Sequence, residues 1–400
     1  MGEITKTTAN ITIKKKDGTT AKKTLTNLNP NCTDRQIYYN TRVLYGLTKN
    51  EVKKITKTQE LDVDYEGGES ISVAGQTDFF VDNKLDMTII GGTDSAKGVA
   101  GTIDADFSYA SLGAGSDTVI VRGSNNKIDG GKNSDSIYSS GDNNSIYGGD
   151  NNDSIYSSGS NNKLYGGAGV DKIYSSGDNN TINSNNATIY SSGSNNKIIG
   201  GTSTDSIYSS GSNNKINSTA GNDTISSSGD YNKIDGGANN DTIYSSGDNN
   251  TIDGGTYNDT IYSSGSNNSI YGGQNVPTGI IVPGTDKIYS RGSNNSINGG
   301  TGNDVIYITD TGSVGSTLIF DTINNGNDTV YGLDTDKDVF YFGVEPAVTV
   351  LPAVTGKTSF QYFTRETLAA STIVIADREI DSIKYKVGND PEIKVYVFNE

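Results

Sequence analysis

Residues 148–164 read GGDNNDSIYSSGSNNKL, and the two aliphatic side chains in that stretch, Ile155 and Leu164, stand nine positions apart. Gly148-Gly149-Asp150-Asn151-Asn152-Asp153-Ser154-Ile155-Tyr156 has the form GGxxxDxIY, and Ser157-Ser158-Gly159-Ser160-Asn161-Asn162-Lys163-Leu164 has the form SSGxNNxI. Each half fits a turn of six residues followed by a strand of three. The turn positions call for φ > 0, which Gly and Asn tolerate best. Strand side chains alternate, so the aliphatic residue points inward and its two neighbours outward.

The unit recurs along half the chain. The aliphatic residue after Asp-x is Val119, Ile137, Ile155, Ile173, Ile189, Ile207, Ile225, Ile243, Ile261, Ile288 and Ile306, at steps of 18 except one of 16 ending at Ile189 and one of 27 ending at Ile288. Halfway between run Ile128, Ile146, Leu164, Ile182, Ile198, Ile216, Ile234, Ile252, Ile270 and Ile297. Two halves make one flattened coil with two short parallel sheets. A three-sided helix also turns in 18 residues but needs an apolar residue every six, which the spacing of nine excludes. The expected fold is therefore mainly β, a parallel β-roll (a two-sided β-solenoid with 18 residues per coil). Ten or eleven coils at about 4.8 Å each make a rod of roughly 50 Å.

Composition narrows the chemistry. The 400 residues include no His, no Trp and one Cys (Cys32), with 50 Gly and 24 Tyr. No His excludes a zinc-protease helix motif, a Ser-His-Asp triad and any His-ligated metal. One Cys excludes a disulfide framework and a cysteine zinc site. No apolar run approaches the roughly 20 residues of a membrane helix. The start, MGEITKTTANITI, lacks the basic and apolar parts of a secretory signal peptide, so export is expected by another route. The net charge is −16, yet residues 1–60 carry 12 Lys/Arg against 5 Asp/Glu, a net +7, which leaves −23 on residues 61–400. Such a body repels nucleic acid and anionic membranes and attracts cations.

The nonapeptide resembles that of the RTX (repeats-in-toxin) family, GGxGxDxUx. The resemblance covers residues 112–308, and the pattern stands whole at Gly166-Gly167-Ala168-Gly169-Val170-Asp171 and Gly299-Gly300-Thr301-Gly302-Asn303-Asp304. It implies Ca²⁺ as cofactor, held between turns of neighbouring coils by Asp carboxylates and backbone carbonyls, a ligand set that suits a hard cation. Carried onto this chain, the implied metal residues are Asp117, Asp135, Asp153, Asp171, Asp205, Asp223, Asp241, Asp259, Asp286 and Asp304, with Gly130, Gly148, Gly166, Gly200, Gly236, Gly254 and Gly299. Carboxylates stacked at about 4.8 Å repel without a counter-ion. The opposite edge carries Asn144, Asn162, Asn180, Asn196, Asn214, Asn232, Asn250 and Asn268 instead, and neutral amides form ladders with no metal. Calcium is therefore expected on one edge only. Asp is also a turn residue that bonds its own backbone, so a roll without metal satisfies the same spacing. Departures from the pattern fall at Asn133, Asn151, Ser203, Asn239 and Tyr257 in the fourth position and at Ser218-Thr219 in place of the Gly pair. Ala187 in the short coil and the insertion 274–283 are expected to interrupt the Asp column.

The outward residue after each Ile of the Asp half is a tyrosine: Tyr138, Tyr156, Tyr174, Tyr190, Tyr208, Tyr244 and Tyr262, then Tyr289 and Tyr307, with Ser226 the lapse. A Ser/Thr column (Thr118, Ser136, Ser154, Thr188, Ser206, Thr224, Thr242, Thr260) runs beside it. This stripe is an interaction-face candidate for glycan rings or another rod; tyrosines also stack on one another along a ladder with no ligand. The other face, with Lys127, Lys163, Lys197, Lys215 and Lys233, reads as a solvated, charge-balanced surface.

Four segments are expected: a small α+β domain at 1–63, a β capping or linker segment at 64–111, the roll at 112–310, and a β-rich C-terminal cap at 311–400. In the first, strands at 10–16 and 20–28 precede a helix over 34–47 capped by Thr33, and 51–63 returns as a strand. The stretch NLNPNCTDRQIYYNTRVL looks like small bacterial domains of unknown function. FDTINNGNDTVYGLDTDKDVFYF (320–342) resembles the cap that closes RTX rolls. The family implies type I secretion through an uncleaved C-terminal signal, which the ending YVFNE matches loosely. No nucleophile elbow or phosphate loop precedes the roll, and GGESIS (67–72) lacks a dinucleotide pattern. The expected protein is a non-enzymatic, extracellular or cell-surface bacterial structural element, self-associating into filaments or layers. It makes no nucleic-acid contact and no membrane insertion. The alternatives are adhesion to cell-surface glycan or ice through the Tyr/Thr face, and a secreted toxin-like effector.

Overall fold

A computed structural model describes residues 106–273, 283–320 and 326–342, together with Gly98 and the strands between 9 and 104 and between 347 and 396. Contacts divide the chain into two compact units, Met1–Lys197 and Ile198–Glu400. Each is a stretch of parallel β-solenoid with two sheets.

In the first unit one sheet contains Tyr109–Gly113, Lys127–Lys132, Ser145–Asp150, Lys163–Ala168 and Thr181–Asn183, and the other Thr118–Val121, Ser136–Ser139, Ser154–Ser157, Asp171–Ser175 and Ala187–Ser191. Every pair is parallel, with Ile137 opposite Ile155 and Ile155 opposite Ile173. In the second unit Ile207, Ile225, Ile243, Ile261, Ile288 and Ile306 form the equivalent ladder. These aliphatic side chains are fully buried or nearly so. The expected turn chemistry is present: Asn143, Asn161 and Asn179, the first of each Asn pair, have φ of 58°, 59° and 58°.

The ladder does not start where the nonapeptide starts. Val52–Ile55, Glu69–Val73 and Met87–Gly92 pair in parallel and lead into Tyr109–Gly113, while Gln36–Tyr39, Glu60–Tyr65, Asp78–Asn83 and Ala100–Asp104 lead into Thr118–Val121. Val52 faces Ser70, Ser70 faces Thr88 and Leu61 faces Phe79, all at 18 residues. Between 52 and 92 the coil length persists without the Gly-Asp turn code that makes it visible, whereas Gln36 to Glu60, Asp78 to Ala100 and Thr88 to Tyr109 are longer steps.

Two expectations for the N-terminal segment change. The helix expected over 34–47 is strand at Gln36–Tyr39, because Ile37, Tyr38 and Tyr39 have strand preference and find a parallel partner in Glu60–Val63. The single strand expected over 51–63 is two, Val52–Ile55 and Glu60–Tyr65, one in each sheet. The rest of 34–47, the insertion at 274–282 and the chain end at 397–400 lie outside the described residues.

Antiparallel strands end one sheet of the first unit and both sheets of the second. Ala9–Lys14 pairs with Thr20–Leu25 and with Val52–Ile55 in the first unit. In the second, Ile393–Tyr396 pairs with Ser382–Val387, and Ala347–Val350 and Thr358–Phe363 follow Ser371–Ile375. An antiparallel turn-back occupies the hydrogen-bonding edge that an open coil offers to another chain.

Candidate metal centre

Each half-coil turns three side-chain positions inward, not one. In the Asp half these are Asp135, Ile137 and Ser139; in the Asn half they are Asn126, Ile128 and Gly130. Asp and Asn therefore face the interior at the corners, where a sequence-level reading placed them only on an edge. Asp117, Asp135, Asp153 and Asp171 in the first unit, and Asp205, Asp223, Asp241, Asp259, Asp286 and Asp304 in the second, are each at most 2% exposed. The glycines Gly130, Gly148, Gly166, Gly200, Gly236, Gly254 and Gly299 are buried as well.

The two corners are built alike up to one atom. At the Asn corner the backbone N–H of Asn126 donates to Asn144 Oδ1 (2.7 Å), and that of Asn144 to Asn162 Oδ1 (2.6 Å). In these coils the second amide atom is satisfied too: Asn144 Nδ2 donates to Ser139 Oγ and Gly123 O, both at 3.1 Å, and Asn162 Nδ2 to Ser157 Oγ at 3.0 Å, whereas Asn250 Nδ2 further along has no partner among the described residues. At the Asp corner the N–H of Asp117 donates to Asp135 Oδ1 (2.7 Å), Asp135 to Asp153 (2.8 Å) and Asp153 to Asp171 (2.9 Å). There the parallel stops. Five residues before Asn144 stands Ser139; five before Asp153 stands Gly148, which has no side chain to offer.

One buried carboxylate oxygen per coil is consequently without a protein partner: Oδ2 of Asp117, Asp135, Asp153, Asp205, Asp223, Asp241, Asp259, Asp286 and Asp304. Space opens beside it. A Cβ on Gly148 would lie 2.5 Å from Asp153 Oδ2 and against the carbonyl of Gly166 in the next coil, so these two oxygens converge on the gap the glycine leaves. Gly130 with Asp135 and Gly148, and Gly254 with Asp259 and Gly272, repeat the arrangement. Two acceptors facing each other with no donor between them need a cation or a proton.

The electrostatics agree. Burial pushes Asp135 up to about 8, Asp241 to about 9, and Asp259 and Asp304 to about 8, opposed by the backbone N–H that each accepts. Asp153 and Asp286 rise to about 7 for the same reason, and neighbouring carboxylates of the column add to the rise at Asp135 and Asp241. A divalent cation removes that penalty. Among the described residues no three carboxylates converge on one point. A cation here would take carboxylates singly from the column, with Gly carbonyls completing an all-oxygen shell of the kind Ca²⁺ accepts. The residues present fit calcium; bound, it would supply the positive charge shared between successive coils.

Exceptions occur where the pattern lapses. Ala187 faces Asp171 in the short coil, and Ser184 Oγ donates to Asp171 Oδ2 at 3.1 Å, so a hydroxyl occupies that corner. The interruption expected at 274–283 is absent from the column: Asp259 N–H donates to Asp286 Oδ1 at 2.7 Å, and Asp286 N–H to Asp304 Oδ1 at 2.8 Å. The strands on either side keep register, Ile261 opposite Ile288 and Ile270 opposite Ile297. The column also continues to a residue the nonapeptide reading passed over, Asp328, whose Oδ1 accepts the N–H of Asp304 at 3.0 Å. Its signal was the remnant Gly326-Asn327-Asp328-Thr329-Val330, a Gly-x-Asp-x-aliphatic run out of step with the repeat.

On the outer face, Tyr138, Tyr156, Tyr174 and Tyr190 stack with ring centroids 4.8–4.9 Å apart in the first unit. Tyr244, Tyr262, Tyr289, Tyr307 and Tyr331 do so at 4.6–4.9 Å in the second. The opposite face is less plain than its lysines suggest, because Lys127 Nζ lies 5.4 Å from the ring centres of both Tyr109 and Tyr147.

A search of curated proteins finds no match to the chain. The profile of the RTX calcium-binding nonapeptide repeat matches residues 112–146, 147–182, 183–216, 190–225, 217–252, 244–275 and 282–307. These repeats are calcium-binding motifs, and the matched residues include the corners with an orphaned carboxylate oxygen from Asp117 to Asp304. With the β-solenoid and its inward Asp column on the same residues, the repeat region of this chain, 112–307, belongs to the RTX calcium-binding nonapeptide family.

Proposed function

We propose that the chain is a non-enzymatic, extracellular, calcium-stabilised structural protein whose tyrosine face joins copies of it into a surface layer or filaments. The observation that carries this is the Tyr138–Tyr190 stack, part-exposed and repeating at every coil. A surface periodic at the coil spacing meets another copy of itself with every contact repeated. A unique small substrate finds no unique place on it. The antiparallel closures at Ala9–Lys14 and Ile393–Tyr396 favour growth through faces over growth through sheet edges. Export agrees with a calcium-binding repeat, since calcium at millimolar levels is an extracellular resource. Among the described residues no helix is long and apolar enough to cross a membrane.

Electron microscopy of the full chain with about 10 mM calcium, roughly tenfold above the dissociation constant of the weakest extracellular sites, should show regular filaments or sheets that disperse on chelation. Dispersed particles in both conditions overturn the assembly reading.

A second reading, adhesion to glycan, is favoured by the hydroxyl-bearing column beside the rings, Ser136, Ser154 and Thr188. It requires that Tyr156→Ala/Tyr174→Ala lose retention on immobilised polysaccharide; retention unchanged by that pair rejects it.

A further inference from the structure

The tyrosine column of the second unit has one vacancy. Ser226 stands in register between Tyr208 and Tyr244, where every other coil from Ser206 to Tyr331 supplies a ring. Tyr244 stacks on Tyr262 on one side, at 4.9 Å and 5° between planes; among the described residues no ring lies against its other side. It is accordingly 46% exposed, against 38% for Tyr262. A groove of about 370 Å³ opens at Ser226 and continues along Tyr244, Tyr262, Tyr289 and Tyr307, with Arg291 on its wall.

The charge on this face is unlike that of the chain. The outward residues of Ser206–Ser210, Thr224–Ser228, Thr242–Ser246, Thr260–Ser264, Lys287–Arg291 and Val305–Thr309 include no Asp or Glu, and the two charged ones, Lys287 and Arg291, are both cations. In a protein of net charge −16 this is a local reversal of sign.

We propose that the Ser226 vacancy and the groove leading from it bind an acidic polysaccharide, one pyranose ring entering the missing place in the stack and a uronate carboxylate reaching Arg291. A vacancy one coil deep, about 4.8 Å, matches the thickness of one ring. The apolar face of a pyranose packs on an aromatic face as another ring does. Serine hydroxyls along the trough are donors and acceptors for sugar hydroxyls, and a guanidinium matches a carboxylate in shape as well as charge. The inference uses the glycan reading of the tyrosine face and does not depend on copies assembling.

The test is affinity electrophoresis and calorimetry of the calcium-loaded full chain against hyaluronan, an acidic chain that calcium does not gel, with dextran as the neutral control. Hyaluronan should bind and dextran should not. Ser226→Tyr restores the residue used in the neighbouring coils and should reduce hyaluronan affinity at least tenfold while leaving the circular dichroism spectrum unchanged. Arg291→Gln should reduce affinity and flatten its salt dependence. Equal binding of both polysaccharides, or hyaluronan affinity unchanged in both variants, overturns the proposal. So does a Ser226→Tyr effect confined to the oligomeric state in sedimentation, since the vacancy would then receive a second copy of the chain. Tyr156→Ala/Tyr174→Ala lies in the other unit, so loss there with Ser226→Tyr silent would keep the glycan reading and reject the slot.

Discussion

At pH 8 an excess of chelator should lower the melting temperature by about 20–30 °C and remove much of the strand signal in circular dichroism, and acidifying the same metal-free protein toward pH 4 should restore both. The first half follows from the nine orphaned carboxylate oxygens. Even about 1 kcal/mol at each corner, the low end for a buried polar atom left without a partner, corresponds to that shift at roughly 2–4 °C per kcal/mol for a domain of this size. The second half follows from the direction in which burial moves these acids. Asp135, Asp241, Asp259 and Asp304 sit at about 8 to 9 in the folded chain, against 3.8 for an ordinary aspartate. Between those values the folded state holds more protons than the unfolded one. Metal-free stability is therefore full below about pH 4 and is lost as pH rises through 7 to 9. Protonated, Oδ2 becomes a donor and can give its hydrogen to the glycine carbonyl it faces. The calcium-loaded protein should show the reverse trend, because the ion needs the deprotonated form. Thermal melts from pH 4 to 9 with and without calcium check both limbs. A metal-free roll that melts at the same high temperature at pH 8 as with calcium overturns the account of the corners.

The second large effect separates the two oxygens of a single carboxylate. Asp153→Asn keeps Oδ1, which accepts the N–H of Asp135, and replaces the orphan with an amide that can donate toward Gly166 O. It reproduces the chemistry of the Asn162 corner, so the metal-free protein should melt higher than the parent at pH 8 while binding fewer calcium ions. Asp153→Ala removes the acceptor as well and leaves the buried Asp135 N–H unpaired, at a cost of about 1–3 kcal/mol with or without calcium. Calorimetric titration with Ca²⁺ should show the loss spreading to adjacent sites in both variants, since each Asp lies between two coils. Asn destabilising the metal-free chain as much as Ala does would show that the orphan oxygen is not where the strain lies.

The exceptional corner at Asp171 is a natural control for both results. Ser184 already donates to its Oδ2, and the next coil offers Ala187 where an Asp would stand. That corner needs no ion, which fits a coil shortened to 16 residues and unable to keep the turn that precedes Asp elsewhere.

Much of this was legible in the residues themselves. A period of nine inside a period of eighteen leaves one geometry for a strand-turn repeat, and it names the buried Ile ladder, the left-handed Asn of each turn and the outward tyrosines without coordinates. Such features depend on the residue and its immediate neighbours, and local sequence encodes them. The coils at 52–92 are not legible in the residues because they keep the length of 18 but not the turn residues that advertise it. The apolar spacing around Gln36–Tyr39 suits helix and strand alike, and only a partner at Glu60–Val63 decides between them. The chemistry of the corners needed closure of the coil. Asn144 meets Ser139 and Asp153 meets Gly148 across a turn, while the carbonyl beside each comes from another coil, Gly123 in the preceding one and Gly166 in the next. Whether a buried polar atom finds a partner depends on atoms brought together by winding, so the tertiary structure alone decided that the amides of Asn144 and Asn162 are paired while Asp153 Oδ2 needs an ion or a proton.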